Sequence, residues 1–267
     1  MRTRLPLRPF ALAACLGLVG MASAACELAV ASFKAEARDE WVRSYPLAGG
    51  GTFEVGNTNG AVEVSQTTGS TIEVRAERVA KAASEEAARD LLKQLEIRED
   101  VSNARVRLET KAPSGIRWGG LEVRYTVRVP AGTTVKVGNT NGRIKLIDHN
   151  GAVTAETTNG GVSGSGLTGA VHASTTNGGI DLDVSAVHAD GISLETTNGG
   201  VSLTLPADAK ADISASCVNG GISSDLPLEK DGDSSRRSLR GRLNGGGPRV
   251  TLETVNGGVK IGSLVSK

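Results

Sequence analysis

Aromatic residues make up only 3% of this 267-residue chain: two Trp, two Tyr and three Phe. Rings supply much of the buried area in a broad globular core, so a thin core of Val, Ala, Ile and Leu is expected instead. Histidine is equally scarce. His149, His172 and His188 lie too far apart for the i, i+4 pair of a helical zinc site. The three cysteines, Cys15, Cys26 and Cys217, cannot make a disulfide-stapled scaffold. Charge is balanced at 30 basic against 29 acidic residues, which removes the basic footprint of a nucleic-acid binder. Neither a G-x-S-x-G elbow nor a phosphate loop ending in Lys-Ser or Lys-Thr occurs. Nucleophilic hydrolysis and nucleotide binding therefore have no basis in the sequence, and no cofactor or metal is expected.

Glycine, at 35 residues, is what the chain has in abundance, and much of it sits in a repeated Asn-Gly step. The step recurs in GNTNGAVEV, GNTNGRIKL, TTNGGVSGS, TTNGGIDLD, TTNGGVSLT, CVNGGISSD and TVNGGVKIG, with Asn59, Asn141, Asn159, Asn177, Asn198, Asn219 and Asn256 in the shared position. Repetition at this scale means small units that bury a core only by stacking on their neighbours. The residues before each step alternate with a period of two, as in Ile192-Ser193-Leu194-Glu195-Thr196, which predicts strands with one buried face. That parity places Thr157, Thr175, Thr196 and the repeat asparagines inward. Asn141, Asn150, Asn159, Thr168 and Asn177 each precede a Gly at intervals of nine residues. A coil with two equivalent corners has that half-period. The expected fold is all-β, a parallel β-solenoid of 18-residue coils, with later coils stretching to 21. Stacked at ~4.8 Å, the asparagines can bond into a ladder, while Gly frees the corner for positive φ. An array of antiparallel hairpins turning at Asn-Gly is the alternative.

Residues 1–24 carry Arg2, Arg4 and Arg8, an apolar run and small residues at Ala22 and Ala24, the pattern of a signal peptide. Cleavage there changes the formal net charge from +1 to about −2. Export to the periplasm, the cell surface or the medium is expected, with no transmembrane span in the mature chain. Lipidation at Cys26 is a subsidiary reading, because the residue three before it is not Leu or Val. Residues 25–50 form an N-terminal segment, and 51–267 a single solenoid domain. Within it a helix over about 82–97 shows an apolar face of Ala88, Leu91, Leu92 and Leu95. Strands flank it around 72–79, 104–110 and 121–130, and a polar loop over about 228–247 holds Arg236, Arg237, Arg240 and Arg242. Cys217 stands where other copies have Thr and reads as a packed core residue.

The signal segment, the opening SFKAEARDEWVRSYPLAGGGTFEVGNTNGAVEV, the insert AASEEAARDLLKQLEIRED and the TTNGGV copies together resemble a bacterial family of unknown function. It is labelled "putative adhesin" and is similar to the head domains of autotransporter adhesins. The resemblance spans residues 32–262 and implies a β-solenoid envelope protein without an agreed catalytic centre. It brings no binding residues with it.

Three surfaces are candidates for function. Arg124 and Arg128, with Arg117 and Trp118 in SGIRWGG, could stack on a sugar or meet an anionic polymer; a packed Trp118 and solvated arginines are the plainer reading. Asp181 and Asp183 project to one outer face, as the carboxylates of a polysaccharide-active solenoid would. The single G-G-x-D copy is too little for a calcium repeat, and the three histidines read as solvated. The third surface is the polar strand face of Thr158, Thr176, Thr197, Glu156, Glu195 and Glu253. The leading expectation is a non-enzymatic binding or structural module whose partner is an envelope glycan or envelope protein. A polysaccharide-active enzyme, and an assembly or stress factor binding a partner protein through Trp118 and Arg117, are the alternatives.

Overall fold

The alternation of apolar and polar residues runs along most of the chain, and strands follow it. A computed structural model describes residues 34–112, 120–231 and 234–264. The signal segment, Cys26, Arg117 and Trp118 lie outside the described residues. In chain order the first elements are β1 (Ala35–Pro46), β2 (Thr52–Asn59), β3 (Val62–Thr67), β4 (Thr71–Ala82), α1 (Glu85–Gln94), β5 (Glu96–Val101), β6 (Arg105–Lys111) and β7 (Leu121–Pro130). The repeats give β8 (Thr134–Asn141), β9 (Ile144–Ile147), β10 (Val153–Asn159), β11 (Val162–Leu167), β12 (Val171–Asn177), β13 (Ile180–Val184), β14 (Ile192–Asn198) and β15 (Val201–Pro206). The last are β16 (Ala211–Asn219), β17 (Ile222–Ser224), β18 (Glu229–Lys230), β19 (Ser238–Leu243), β20 (Arg249–Asn256) and β21 (Val259–Leu264).

The strand entering each Asn-Gly step and the strand leaving it belong to different sheets. Equivalent strands of successive coils pair in parallel and in register, Val153 with Val171, Thr157 with Thr175 and Asn159 with Asn177. A hairpin would instead pair the two strands flanking the step, so the antiparallel alternative fails. The fold is a two-sheet β-solenoid. One sheet runs β1-β4-β7-β3-β9-β11-β13-β15-β21-β17, the other β18-β19-β16-β20-β14-β12-β10-β8-β2-β6-β5.

Coil order departs from chain order at both ends. The coil β6–β7 stacks outside β2–β3. The final coil β20–β21 is inserted between β14–β15 and β16–β17. Beyond the outermost coils the pairing turns antiparallel, with β4 and β1 after β7, β5 after β6, and β19 and β18 after β16. The segment 228–247, expected as a polar loop, thus contains two strands. Leu239 and Leu243 alternate with arginines along β19 and are buried, a two-residue periodicity hidden by its charged neighbours.

The core is one continuous cluster built as columns, such as Val135, Val153, Val171 and Ile192, with Phe53 and Tyr125 as its largest fully buried aromatics. Each such aliphatic side chain contributes about 1.5–3 kcal/mol on burial. Helix α1 starts at Ser84, whose side chain accepts from the Ala87 amide, with Glu85 and Glu86 in its first turn. It buries Ala88, Leu92 and Leu95 beside β1 and β4, and Arg78 donates to the Leu95 carbonyl at 2.8 Å, capping its end.

The corner chemistry differs from expectation in two ways. Alternation lapses after the buried Thr157, so Thr158 and Asn159 are both exposed, and the same holds at Asn141, Asn177, Asn198, Asn219 and Asn256. The asparagines stand on the outer corner, not inward, because the backbone is already turning between sheets. The glycines that follow are required less by positive φ than by close approach. A Cβ on Gly160, Gly178 or Gly199 would meet the carbonyl oxygen of the preceding coil's glycine at 2.1, 2.0 or 1.9 Å.

Candidate binding face

The corner carries a continuous amide column. The Asn141 amide donates to Asn59 Oδ1 at 2.8 Å, Asn159 to Asn141 at 2.8 Å, Asn177 to Asn159 at 2.9 Å and Asn198 to Asn177 at 2.9 Å. Asn256 continues it to Asn198 and Asn219 to Asn256, both at 2.8 Å, while Asn59 donates to the Leu121 carbonyl at 3.0 Å. Every side chain points its NH₂ the same way, toward the N-terminal end of the stack. Just inside it, the buried Thr157, Thr175, Thr196 and Thr254 donate to the glycine carbonyls of the neighbouring coil at 2.8–3.2 Å. Asn57 and Asn139 hold the threonine position in the first repeats, and Cys217, buried and free, holds it in the outermost coil. These two columns are structural. They link each corner to the next, beside strands that pair in register.

That face is the outer side of β10, β12, β14, β20 and β16. In register across it run Glu156, Ser174, Glu195, Glu253 and Ser216, and below them Thr154, His172, Ser193, Thr251 and Ser214. Nearest the corner stand Thr158, Thr176, Thr197, Val255 and Val218. A shallow groove is lined by Thr176, Thr197, Glu195, Glu253, Val218 and Val255. Arg249, exposed at the start of β20, is the one Lys or Arg within these five strands. The face offers hydroxyls and carboxylates at the strand spacing of ~4.8 Å. Val218 and Val255, 55% and 41% exposed, form an apolar end that the sequence reading missed. The signal was present: T-T-N becomes C-V-N and T-V-N in these two copies, which the fold makes neighbours.

The arginine-rich insert is arranged differently. Arg124 donates to Glu122 at 2.7 Å and Glu77 at 3.2 Å, and Arg128 lies 3.7 Å from Glu73. Arg38 also reaches Glu77 at 2.8 Å, Arg75 pairs with Glu40, and Arg78 grips both oxygens of Asp39 at 2.8 and 2.6 Å. Hydrogen bonds from Arg38 and Arg124 hold the Glu77 carboxyl below the usual range, and the bond to Glu122 raises the Arg124 guanidinium. Antiparallel pairing of β1, β4 and β7 interleaves the two signs, so Arg124 and Arg128 stand in a neutralised lattice rather than a cationic patch. Exposed pairs of this kind contribute little to stability, being screened by solvent.

Asp181 and Asp183 project outward from β13, beside Ser163, Ser202 and Thr204 on the neighbouring strands. Among the described residues no three His, Cys, Asp or Glu side chains gather to hold a metal. His172 and His188 are solvent-accessible, but His149 corrects the expectation of a surface residue. It is 1% exposed, its Nε2 lies 2.9 Å from the Thr133 carbonyl, and burial pushes its pKa down. The second corner of the coil folds it inward, where its Nδ1 has no partner among the described residues. Tyr45 donates to Glu99 at 2.5 Å, tying β1 of one sheet to β5 of the other, and burial pushes its hydroxyl upward.

A family model described as Toastrack DUF4097 matches residues 149–262, the part of the chain where the repeats are most regular. No curated protein matches. Among solved structures, a "putative cell adhesion protein" from Clostridium sporogenes is similar at 13% identity and a TM-score of 0.48, covering 85% of this chain and 100% of its own. A "putative adhesin" from Bacteroides fragilis is similar at 13% identity and a TM-score of 0.37, covering 85% and 97%. A "putative lipid binding protein" from Parabacteroides distasonis is similar at 11% identity and a TM-score of 0.26, covering 85% and 97%. Among the described residues no helix is long and apolar enough to cross a membrane.

Proposed function

We propose that this chain is an exported, non-catalytic binding module of the bacterial envelope. Its working surface is the flat outer face of β10, β12, β14, β20 and β16. The observation that carries the reading is regularity. Hydroxyl and carboxylate side chains repeat in register along that face over a rigid two-column corner, as a repeating glycan or an extended protein partner requires. Strands at a fixed spacing present these groups in register, so weak hydrogen bonds to a repeating partner add along the array. Export rests on residues 1–24.

The neutralised insert shifts weight away from an anionic polymer bound through Arg124 and Arg128. Asp181 and Asp183, on an open strand among hydroxyls, give little support to polysaccharide cleavage. The test is co-sedimentation of the purified mature chain with whole cells, peptidoglycan and outer-membrane fractions, at low and high salt. Saturable binding to one fraction that survives salt and is lost in Thr197→Lys supports the reading. Absence of binding to every fraction, or binding unchanged in Thr197→Lys, overturns it.

A further inference from the structure

Asn-Gly is the dipeptide at which a peptide chain cyclises most readily. Glycine leaves its own amide nitrogen unhindered, so that nitrogen can reach the side-chain carbonyl carbon of the preceding asparagine. The ladder contains seven such steps with near-identical local sequence. In six of them the glycine N–H is occupied. Gly60 donates to the Asn141 carbonyl, Gly142 to Asn159, Gly160 to Asn177, Gly178 to Asn198, Gly199 to Asn256 and Gly257 to Asn219, at 2.9–3.0 Å. In the same six, the asparagine Oδ1 accepts from the next amide of the column. The nucleophile and the carbonyl that must rotate toward it are thus both tied.

Asn219-Gly220 is the seventh, and it is the outermost coil of the stack. Among the described residues none donates to Asn219 Oδ1, and none accepts from the Gly220 N–H. Among the described residues the one side-chain bond of Asn219 runs from its NH₂ to Asn256. Of the seven glycines Gly220 alone is exposed, the others being buried or intermediate. Two independent observations, an amide N–H without an acceptor and a side-chain oxygen without a donor, single out one step from seven with similar sequence.

We propose that Asn219-Gly220 is a spontaneous modification site at which the ladder converts to a carboxylate from its open end. The Gly220 amide nitrogen bonds to Asn219 Cγ while the Cγ–Nδ2 bond breaks. The Gly220 amide proton leaves with the side-chain nitrogen as ammonia, and a five-membered succinimide remains. Water then opens either imide C–N bond, giving an aspartyl residue or an isoaspartyl residue whose chain continues through the β-carbon. No oxidant or second reactant is needed. Either product loses the NH₂ that donates to Asn256 and sets a negative oxygen against its Oδ1. The modified coil is thereby released from the column.

The test is peptide mapping of the intact chain by mass spectrometry after ageing in mildly alkaline buffer, with isoaspartyl content measured separately. In the native protein, conversion at Asn219 should lead Asn159, Asn177, Asn198 and Asn256 by at least about tenfold, since those steps must first break bonds that Asn219 lacks. In concentrated urea the same peptides should convert at similar rates. An interior ladder step converting as fast as Asn219 in the native protein overturns the proposal. So does a lead at Asn219 that persists unchanged in urea, because sequence rather than the ladder would then be its cause.

Discussion

Replacing Gly178 by Ala puts the close approach of coils to a quantitative test. The new Cβ would lie 2.0 Å from the Gly160 carbonyl oxygen and 2.5 Å from its carbon. Both atoms are backbone, so no side-chain rotation relieves the contact, and the coils must separate at this corner by roughly 1 Å to reach van der Waals distance. Three bonds cross the gap: Gly160 N–H to the Asn177 carbonyl at 2.9 Å, Asn177 to Asn159 Oδ1 at 2.9 Å and Thr175 Oγ1 to the Gly160 carbonyl at 2.8 Å. Stretched by that amount, none remains a hydrogen bond. At about 0.5–1.5 kcal/mol each, their loss costs about 2–4 kcal/mol. Gly138→Ala is the matched control, since nothing lies within 4 Å of its Cβ position. It should change stability by no more than about 0.5 kcal/mol. Urea unfolding followed by far-UV circular dichroism measures both. Coincident midpoints for the two variants would refute the claim that the corner glycines are held by steric approach.

Stability should fall as pH drops below about 6.5, partly through His149. Its folded pKa is lowered by burial, so the unfolded chain takes up the proton first and the contribution is complete only above the unfolded value. His149→Gln should shrink the difference in unfolding midpoint between pH 8 and pH 5, and an unchanged difference would dismiss the mechanism. Tyr125→Phe removes a buried bond of 2.7 Å to Thr110 Oγ1 and leaves that hydroxyl without its partner. A loss of about 1–2 kcal/mol is expected in thermal or urea unfolding, and none would mean that water replaces the phenol.

The repeats were legible because local pattern and fold agree there. The alternation of Ile192-Ser193-Leu194-Glu195-Thr196 and the nine-residue recurrence both follow from a coil with two corners, so strands, sheets and the 18-residue rise could be read directly. The helix was equally readable from Ser84 and its apolar spacing. What escaped was set by position in the stack rather than by neighbours in sequence. The exposure of Asn159 depends on where the backbone begins to turn. The burial of His149 depends on the second corner, and the strand character of Ser238–Leu243 on a partner, β16, whose paired residues lie 22 to 32 positions upstream. The arginines of β7 looked like a patch because their carboxylate partners, Glu73 and Glu77, lie across an antiparallel pairing on β4. The face of Thr176 and Thr197 was visible, but Val218 and Val255 became neighbours only through the insertion of β20.

That insertion bears on how the protein is made. As the chain is synthesised, β16 and β17 are complete before β20 and β21 exist, yet the slot beside β14 and β15 belongs to the later pair. Pairing of β16 directly on β14 would be a trap, with Cys217-Val218-Asn219 able to take the register of Thr196-Thr197-Asn198 and the wrong neighbour in it. The intervening β18–β19 hairpin, locked antiparallel against β16, occupies that coil's other side and reduces the ways it can dock. Without residues 249–264, β14, β15, β16 and β17 would each lose the strand they pair with, an open edge of the kind that recruits other chains.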